Sequence, residues 1–379
     1  MIYWTILIYT TIASALCLYT ARQRKYINIS TQKLDVVERN VSMSGALIAF
    51  AVLIFFASTR GYMEDTSLYI AQYRDLTTNF SDIPLFFDGE QKGPLFWAAS
   101  VVLKGLICGD NFTLWLTCIA CFQGYTLARY LREYSKHFDF SCFLLISNGV
   151  ISWFTNGIRQ FVAVCIVLLA SKYLFNKNLI KYLICVVIAY YVHDTALLCI
   201  PVFFIVQGHP FNKRVIISML VAIVAVMFLD QFTSVLDSML EGTSHENATQ
   251  QFEQDDGANI ITTILFAIPA GIAFWKRKYI MTLDRPRHID VLINMSCFTV
   301  ALSLVSNFTS GILIGRLPVY FYMGNYILLP WLIENCFVGR DQAIIRFSCY
   351  LGYLCYYAYY TSMLQYYSVY SVINNFIYA

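Results

Sequence analysis

Three arginines, an aspartate and a histidine lie beside apolar runs of this chain and could together act on a negatively charged substrate. Arg159 follows Asn156 and Gly157 at the start of an apolar run that ends at Phe175. An arginine on the first turn of a helix adds its guanidinium to the positive end of the helix dipole, so this pattern is typical of an anion site. A single arginine near a membrane helix end more often reaches lipid headgroups. The interpretation therefore depends on the rest of the chain.

Five more ionisable residues are expected on the same side of the molecule as Arg159: Arg60, Glu64, Asp65, His193 and Arg316. Convergent arginines can bind a phosphate or pyrophosphate through paired hydrogen bonds. Asp65 or His193 could act as a general base. Asp65 could instead cap the helix that follows it, and His193 could be a polar residue at a kink. A chance grouping of outer charges is a further alternative.

The composition indicates a membrane protein. The chain has 379 residues, of which 58% are hydrophobic and 13% are charged, and its mean hydropathy is +0.59. A soluble domain of this size would carry more charge. The net charge of +3 and the lack of basic stretches interleaved with aromatic residues exclude nucleic acid as a partner. We expect an all-α polytopic membrane protein, with residues 1–379 forming a single integral membrane domain and no separate soluble domain.

Clusters of lysine and arginine predict which loops face the cytoplasm. Alternating apolar runs between those loops predict about twelve transmembrane helices plus one re-entrant segment. The outer loops are then 59–92 and 230–259, and Thr66–Leu76 should form an amphipathic helix in the first of them. Pro94–Cys108 is the run expected to be re-entrant or tilted, because it is short and carries Lys104.

The apolar run Leu179–Val206 is too long for one crossing and is interrupted by His193-Asp194-Thr195. As one straight helix it would span roughly 42 Å, well beyond the hydrocarbon core. We therefore predict a hairpin that bends at His193. Non-helical backbone at that depth requires protein or water beside it, so the bend predicts a water-accessible cavity.

Five short motifs occur in order between about Arg60 and Trp331. They are Arg60-Gly61 with Asp65 and Tyr69; Gly93 to Phe96; Asn156 to Gln160; His193 with Ala196 and Leu197; and Arg316 with Pro318, Tyr320 and Phe321. This order resembles the EpsG-like branch of the Wzy polysaccharide polymerases. One departure is that the family pattern has an acidic residue just before the proline of the second motif. This chain reads Lys92-Gly93-Pro94 there, with Glu90 nearby, so a catalytic role for Glu90 is in doubt.

The resemblance implies a glycosyltransferase-C-like fold and a metal-independent O-antigen polymerase that needs no cofactor. Such proteins join oligosaccharide repeat units carried on undecaprenyl pyrophosphate, at the periplasmic face of the bacterial inner membrane. Their partners are the lipid-linked donor and acceptor, the bilayer and a chain-length-determining membrane protein. The residues that the resemblance points to are Arg60, Arg159 and Arg316 for the pyrophosphate; Asp65 and His193 for catalysis; and Tyr69, Gln160 and Tyr320 for substrate binding.

Two other classes of protein fit part of the pattern. One is a different lipid-linked glycosyltransferase, either an O-antigen ligase or a metal enzyme that uses Glu64 and Asp65 as an acidic pair. The other is a lipid-oligosaccharide flippase or transporter. A transporter predicts charged residues along mid-membrane helix faces and often two similar halves. The ionisable residues of this chain instead gather on one predicted side.

Overall fold

The computed structural model describes residues 1–27, 34–61, 65–88, 91–227, 259–308 and 314–370. Apart from one antiparallel hairpin, these residues form helices, turns and connections. The hairpin pairs β1 (Arg22–Ile27) with β2 (Leu34–Asn40). The predicted outer loop 230–259 lies outside the described residues except for its last residue, and Glu64 and Glu90 lie outside them as well.

The helices of the first half of the chain differ widely in length. They are α1 (Ile2–Tyr19), α2 (Met43–Ser58), α3 (Thr66–Asp75), α4 (Leu85–Asp88), α5 (Pro94–Leu103), α6 (Phe112–Tyr134), α7 (Phe138–Ser147), α8 (Ile151–Thr155), α9 (Ile158–Leu169) and α10 (Ser171–Phe175). A 3₁₀ turn covers Phe80–Asp82, and a π-helical turn, Lys104–Cys108, extends α5. Side-chain caps begin two of these helices: Ser42 accepts from the amide of Gly45 at 3.0 Å, and Asn111 accepts from that of Leu114 at 3.1 Å.

The second half of the chain is also built from helices. They are α11 (Leu179–Val192), α12 (Cys199–Ile205), α13 (Lys213–Met227), α14 (Ile260–Trp275), α15 (Arg277–Ile280), α16 (Arg287–Asn307), α17 (Val319–Tyr322), α18 (Asn325–Cys336) and α19 (Gly339–Ser362). A 3₁₀ turn, Asp194–Leu198, joins α11 to α12. The predicted amphipathic helix Thr66–Leu76 is confirmed as α3, which ends one residue earlier.

The chain divides into two compact units. The first comprises Met1–Ser171, Ile180–Leu197 and the segment from Gly339 onward; the second comprises Lys172–Leu179 and Leu198–Val338. In the first unit α2 packs along α6, and α1 packs on α2 and α7. In the second unit α16 packs against both α13 and α14.

Helix lengths do not confirm the predicted count of about twelve crossings. Within the described residues, two helices are long and apolar enough to cross a membrane, α1 and α16, and a bent pair could supply a third span. Six further apolar helices have 10–17 residues. At 1.5 Å per residue each is about 15–25 Å long, shorter than a hydrocarbon core of about 30 Å. The apolar helices fit a membrane protein, but several predicted spans are built from shorter pieces.

The chain bends or breaks at both places for which the sequence predicts irregular geometry. Pro94–Cys108 meets α6 at a bend of 118°, which fits a broken span or a re-entrant loop. In Leu179–Val206, α11 ends at Val192 and the 3₁₀ turn follows His193. The break at His193 is therefore confirmed, and the hairpin geometry stays a prediction.

A strap after α19 holds the end of α2. Residues 363–370 form this strap, which pairs with Arg60 through an antiparallel bridge at Ser368. The Gly61 amide donates to the Tyr367 carbonyl at 2.6 Å, and the Val369 amide donates to the Thr59 carbonyl at 3.1 Å. The strap therefore fixes the backbone that leads from α2 toward Asp65.

Candidate functional site

The start of α9 is held by an aspartate from a distant part of the chain. Gly157 takes a left-handed conformation, with φ of +72°, immediately before the first residue of α9. Its amide donates to Oδ2 of Asp65 at 3.0 Å. Asp65 makes no side-chain cap to α3, which it directly precedes. The alternative that Asp65 caps its own helix is therefore wrong, because its carboxylate caps the start of α9 instead.

Arg159 projects from the first turn of α9 into a polar setting made by two other segments. Its Nε donates to the hydroxyl of Tyr69 at 3.2 Å, and its Nη1 donates to the carbonyl of Lys92. Among the described residues, Nη2 has no hydrogen-bond partner. The guanidinium is thus fixed by two of its nitrogens, and one edge is available for an anion.

The backbone before α5 lies very close to the Arg159 side chain. Gly93 has φ of +71°, and a Cβ atom placed there would lie 2.5 Å from the Val192 carbonyl oxygen and 3.0 Å from Nη1 of Arg159. Only glycine allows so close an approach. This contact brings the start of α5, the start of α9 and the end of α11 to one place.

One face of α3 lines the site. Asp65 precedes α3, and Tyr69 and Tyr73 follow at intervals of four residues, so the three side chains share a face. Tyr69 is stacked on Trp97 with ring centroids 6.1 Å apart, and Tyr73 is stacked on Trp115 at 4.5 Å. Burial raises the pKa of Tyr73 above its usual range, so the phenol stays protonated and donates to the Gly109 carbonyl at 2.7 Å. The aromatic contacts keep this face of α3 rigid.

His193 belongs to a hydrogen-bonded group at the break after α11. Its Nδ1 lies 2.8 Å from the Thr195 hydroxyl and 3.4 Å from a carboxylate oxygen of Asp194. The buried Gln160, one residue after Arg159, donates from Nε2 to the same hydroxyl at 3.5 Å. The His193 side chain is 23% exposed. The imidazole is therefore oriented by Thr195 and tied to α9, while part of it faces solvent.

Arg60 has a structural role beside the site. It is 1% exposed, its Nε donates to the Thr66 hydroxyl at 2.9 Å, and its Nη1 donates to the Ala57 carbonyl. The Thr66 hydroxyl in turn donates to the Thr155 carbonyl at 3.1 Å. The guanidinium thus joins the end of α2 to the start of α3. Such burial leaves no surface for a pyrophosphate.

The remaining predicted residues belong to the second unit. Arg316 lies half-buried in the turn before α17, and Tyr320 is 1% exposed within α17. Pro318 directly precedes α17, as expected for a proline at a helix start. Their part in an anion site therefore stays a prediction.

The structure brings five of the predicted residues together in the first unit: Asp65, Tyr69, Arg159, Gln160 and His193. The Lys92 carbonyl and the Thr195 hydroxyl were not predicted. A threonine two residues after His193 was a weak signal for the latter; a backbone carbonyl carries none. Within the described ranges, no group of three or more His, Cys, Asp or Glu side chains is placed to hold a metal ion.

The arrangement has the parts that transfer to or from a phosphorylated carrier requires. The positive end of α9 and the guanidinium of Arg159 can stabilise a developing negative charge. The imidazole of His193 can accept a proton from a hydroxyl group.

Comparison with known families gives one match that covers most of the chain. A sequence model of the EpsG family matches residues 46–374, a range that includes every residue of the candidate site. Comparison with curated proteins and with solved structures gives no match. The resemblance in the motifs is therefore confirmed, and the chain belongs to the EpsG family, a Wzy-like polymerase family.

Proposed function

We propose that this chain is a polysaccharide polymerase that joins lipid-linked oligosaccharide repeat units. The donor is a glycan on undecaprenyl pyrophosphate, and the acceptor is a new repeat unit on the same kind of lipid. The bond from the anomeric carbon to the pyrophosphate oxygen breaks as the acceptor hydroxyl oxygen bonds to that carbon. The hydroxyl proton passes to a base of the protein, and lipid pyrophosphate leaves.

The arrangement of Arg159 is the single observation that carries this proposal. The side chain lies at the positive end of α9, is oriented by Tyr69 and the Lys92 carbonyl, and keeps Nη2 without a described partner. A leaving pyrophosphate gains negative charge as the sugar departs. A preorganised cation at that position stabilises the transition state more than the ground state. Arg316 is proposed as a further pyrophosphate-binding residue.

We assign proton transfer to His193. Its imidazole is oriented by Thr195, and the Asp194 carboxylate lies 3.4 Å from Nδ1. The Asp65 carboxylate instead accepts the Gly157 amide at 3.0 Å. Within this proposal Asp65 is a positioning residue for α9, and Arg60 is a positioning residue for α3.

Three neutral residues complete the proposed site. Gln160 positions His193 through Thr195, and Tyr69 holds Arg159. Tyr320 stays a predicted substrate-binding residue of the second unit. The proposed location is a bacterial inner membrane with the site facing the periplasm. Chain length would then be set with a second membrane protein. The product would be O-antigen or a related surface polysaccharide.

The test is a gel of surface glycan from a host that lacks this gene and carries variants of it. Wild type should restore a ladder of repeat lengths, and Arg159→Ala should leave a single repeat unit. Removal of one preorganised transition-state donor typically slows the reaction about 10²–10³-fold. Arg159→Lys keeps the charge without the planar fork, so it should give short chains.

A matched control is Arg129→Ala, because Arg129 forms a half-exposed pair with Glu133 on α6, at 3.5 Å. It should leave the ladder intact. Long chains in Arg159→Ala, with the protein present in the membrane, would refute the role of Arg159. Complete loss of repeats in the deleted host would favour a ligase or flippase, and an unchanged ladder there would refute the polymerase.

A further inference from the structure

Lys104 is a buried cation that the proposed chemistry does not use. It begins the π-helical turn after α5, and its side chain is 4% exposed. Its Nζ donates to three backbone carbonyls: those of Tyr73 at 3.1 Å, Arg74 at 2.9 Å and Leu76 at 2.8 Å. An ammonium group has three N–H donors, so each has an acceptor. A buried lysine in an apolar run is rare and is a sign of function.

The three carbonyls form the end of α3. The last carbonyls of a helix have no partner within the helix, and the helix dipole makes that end negative. Lys104 donates hydrogen bonds to these carbonyls and places a positive charge at the negative end of the helix. Nζ also lies 5.3 Å from the centroid of the Tyr73 ring, which is stacked on Trp115. The carboxylate of Asp110 is 3.5 Å away, but its side chain is 94% exposed, so water screens that pair.

The other end of α3 carries the candidate site. Asp65, next to the first residue of α3, caps α9, and Tyr69, one turn later, holds Arg159. A shift of α3 along its axis would move both contacts together, because a helix transmits displacement along its length. The Arg60–Thr66 bond fixes the start of α3, and Lys104 fixes its end.

We propose that Lys104 is a positioning residue that sets the axial place of α3 and thereby the geometry of Asp65, Tyr69 and Arg159. The part of this inference that concerns activity rests on the proposed polymerase function. The part that concerns α3 does not. Displacements near 1 Å can slow a reaction about 10²-fold even when the altered residue is far from the chemistry.

Two measurements on purified full-length protein in lipid nanodiscs test the inference. The first is amide hydrogen exchange of peptides that cover α3, followed by mass spectrometry. The second is the rate of polymerisation of a lipid-linked repeat unit at saturating and at low substrate concentration. The variants are Lys104→Met, which keeps the chain length and removes the donors, Lys104→Gln, which keeps two donors, and Lys104→Arg, which keeps the cation. Asp110→Asn is the control.

We expect Lys104→Met to speed exchange in α3, to leave exchange in α6 unchanged, and to lower the saturated rate about 10²-fold. Lys104→Gln should have intermediate α3 exchange and an intermediate rate. Lys104→Arg should keep most of the wild-type exchange protection and rate, and Asp110→Asn should match wild type in both. Unchanged exchange of α3 in Lys104→Met would overturn the inference, as would equal losses in Lys104→Arg and Lys104→Met. Failure of both Lys104→Met and Lys104→Gln to reach the membrane would also overturn it, because Lys104 would then be a folding residue. An inactive wild type with faster α3 exchange in Lys104→Met would refute only the polymerase.

Discussion

Replacing Asp65 separates a positioning carboxylate from a catalytic one. Oδ2 of Asp65 accepts the Gly157 amide at 3.0 Å. Asparagine keeps an oxygen acceptor of the same shape and loses the charge, whereas alanine leaves the amide without its partner. If Asp65 only positions α9, Asp65→Asn should be mild and Asp65→Ala should be severe. If Asp65 takes the proton, both variants should be inactive.

The magnitudes follow from the type of hydrogen bond. A bond to a charged group contributes about 1.5–3 kcal/mol and a neutral one about 1 kcal/mol. We take the loss of hydrogen-bond free energy as the loss of stability of the active arrangement of α9. Asp65→Asn then costs about 1 kcal/mol, which corresponds to a roughly 5-fold lower rate. Asp65→Ala costs about 1.5–3 kcal/mol, or roughly 10- to 150-fold.

The assay is the initial rate of polymerisation by purified protein supplied with a lipid-linked repeat unit. Asp75→Asn is the control, since Asp75 is an exposed residue at the end of the same helix. A loss above about 10²-fold in Asp65→Asn, with normal amounts of folded protein, would refute the positioning role. The general base would then be Asp65 rather than His193.

Two further predictions concern close contacts around the site. Gly93→Ala should slow the reaction strongly, because its Cβ would lie 2.5 Å from the Val192 carbonyl oxygen in a left-handed conformation. Gly339→Ala is the matched control, because Gly339 is also left-handed but has open space around it. Equal rates in the two variants would contradict the crowding argument. Tyr366→Phe should lower the free energy of unfolding by about 0.5–1.5 kcal/mol, because it removes the hydroxyl that donates to the Phe56 carbonyl at 2.6 Å. Thermal unfolding in detergent measures this change. Tyr19→Phe is the control, because Tyr19 is 81% exposed. Equal unfolding midpoints in the two variants would show that the strap does not stabilise the end of α2.

Local patterns in the sequence predicted the pieces of the site well. Thr66–Leu76 has an amphipathic period, and α3 covers all but its last residue. Asn156-Gly157 before an apolar run predicted the start of α9, and the polar triplet at His193 predicted the break after α11. Each of these features depends on residues close together in the chain, so a single sequence is enough to recognise it.

Contacts between distant segments were not predictable in the same way. Asp65 bonds to a residue 92 positions later, and Arg159 bonds to a carbonyl 67 positions earlier. Nothing in residue types distinguishes the Lys92 carbonyl from any other. The predicted number of crossings is not confirmed for a related reason. Phe140–Phe154 reads as one apolar run, yet Gly149 takes φ of +77° and divides it into α7 and α8.

The contacts around Arg159 show why an anion site would use so many segments for one side chain. A free arginine side chain has about 2 kcal/mol of rotamer entropy, which an anion would have to overcome on binding. Here the Tyr69 hydroxyl and the Lys92 carbonyl hold the guanidinium before any ligand is present. The entropic cost of ordering the Arg159 side chain is therefore met during folding. It does not reduce the interaction of the guanidinium with the negative charge that develops during the reaction. The same reasoning explains why α3 is fixed at both ends, since an ordering contact from Tyr69 is useful only if Tyr69 does not move.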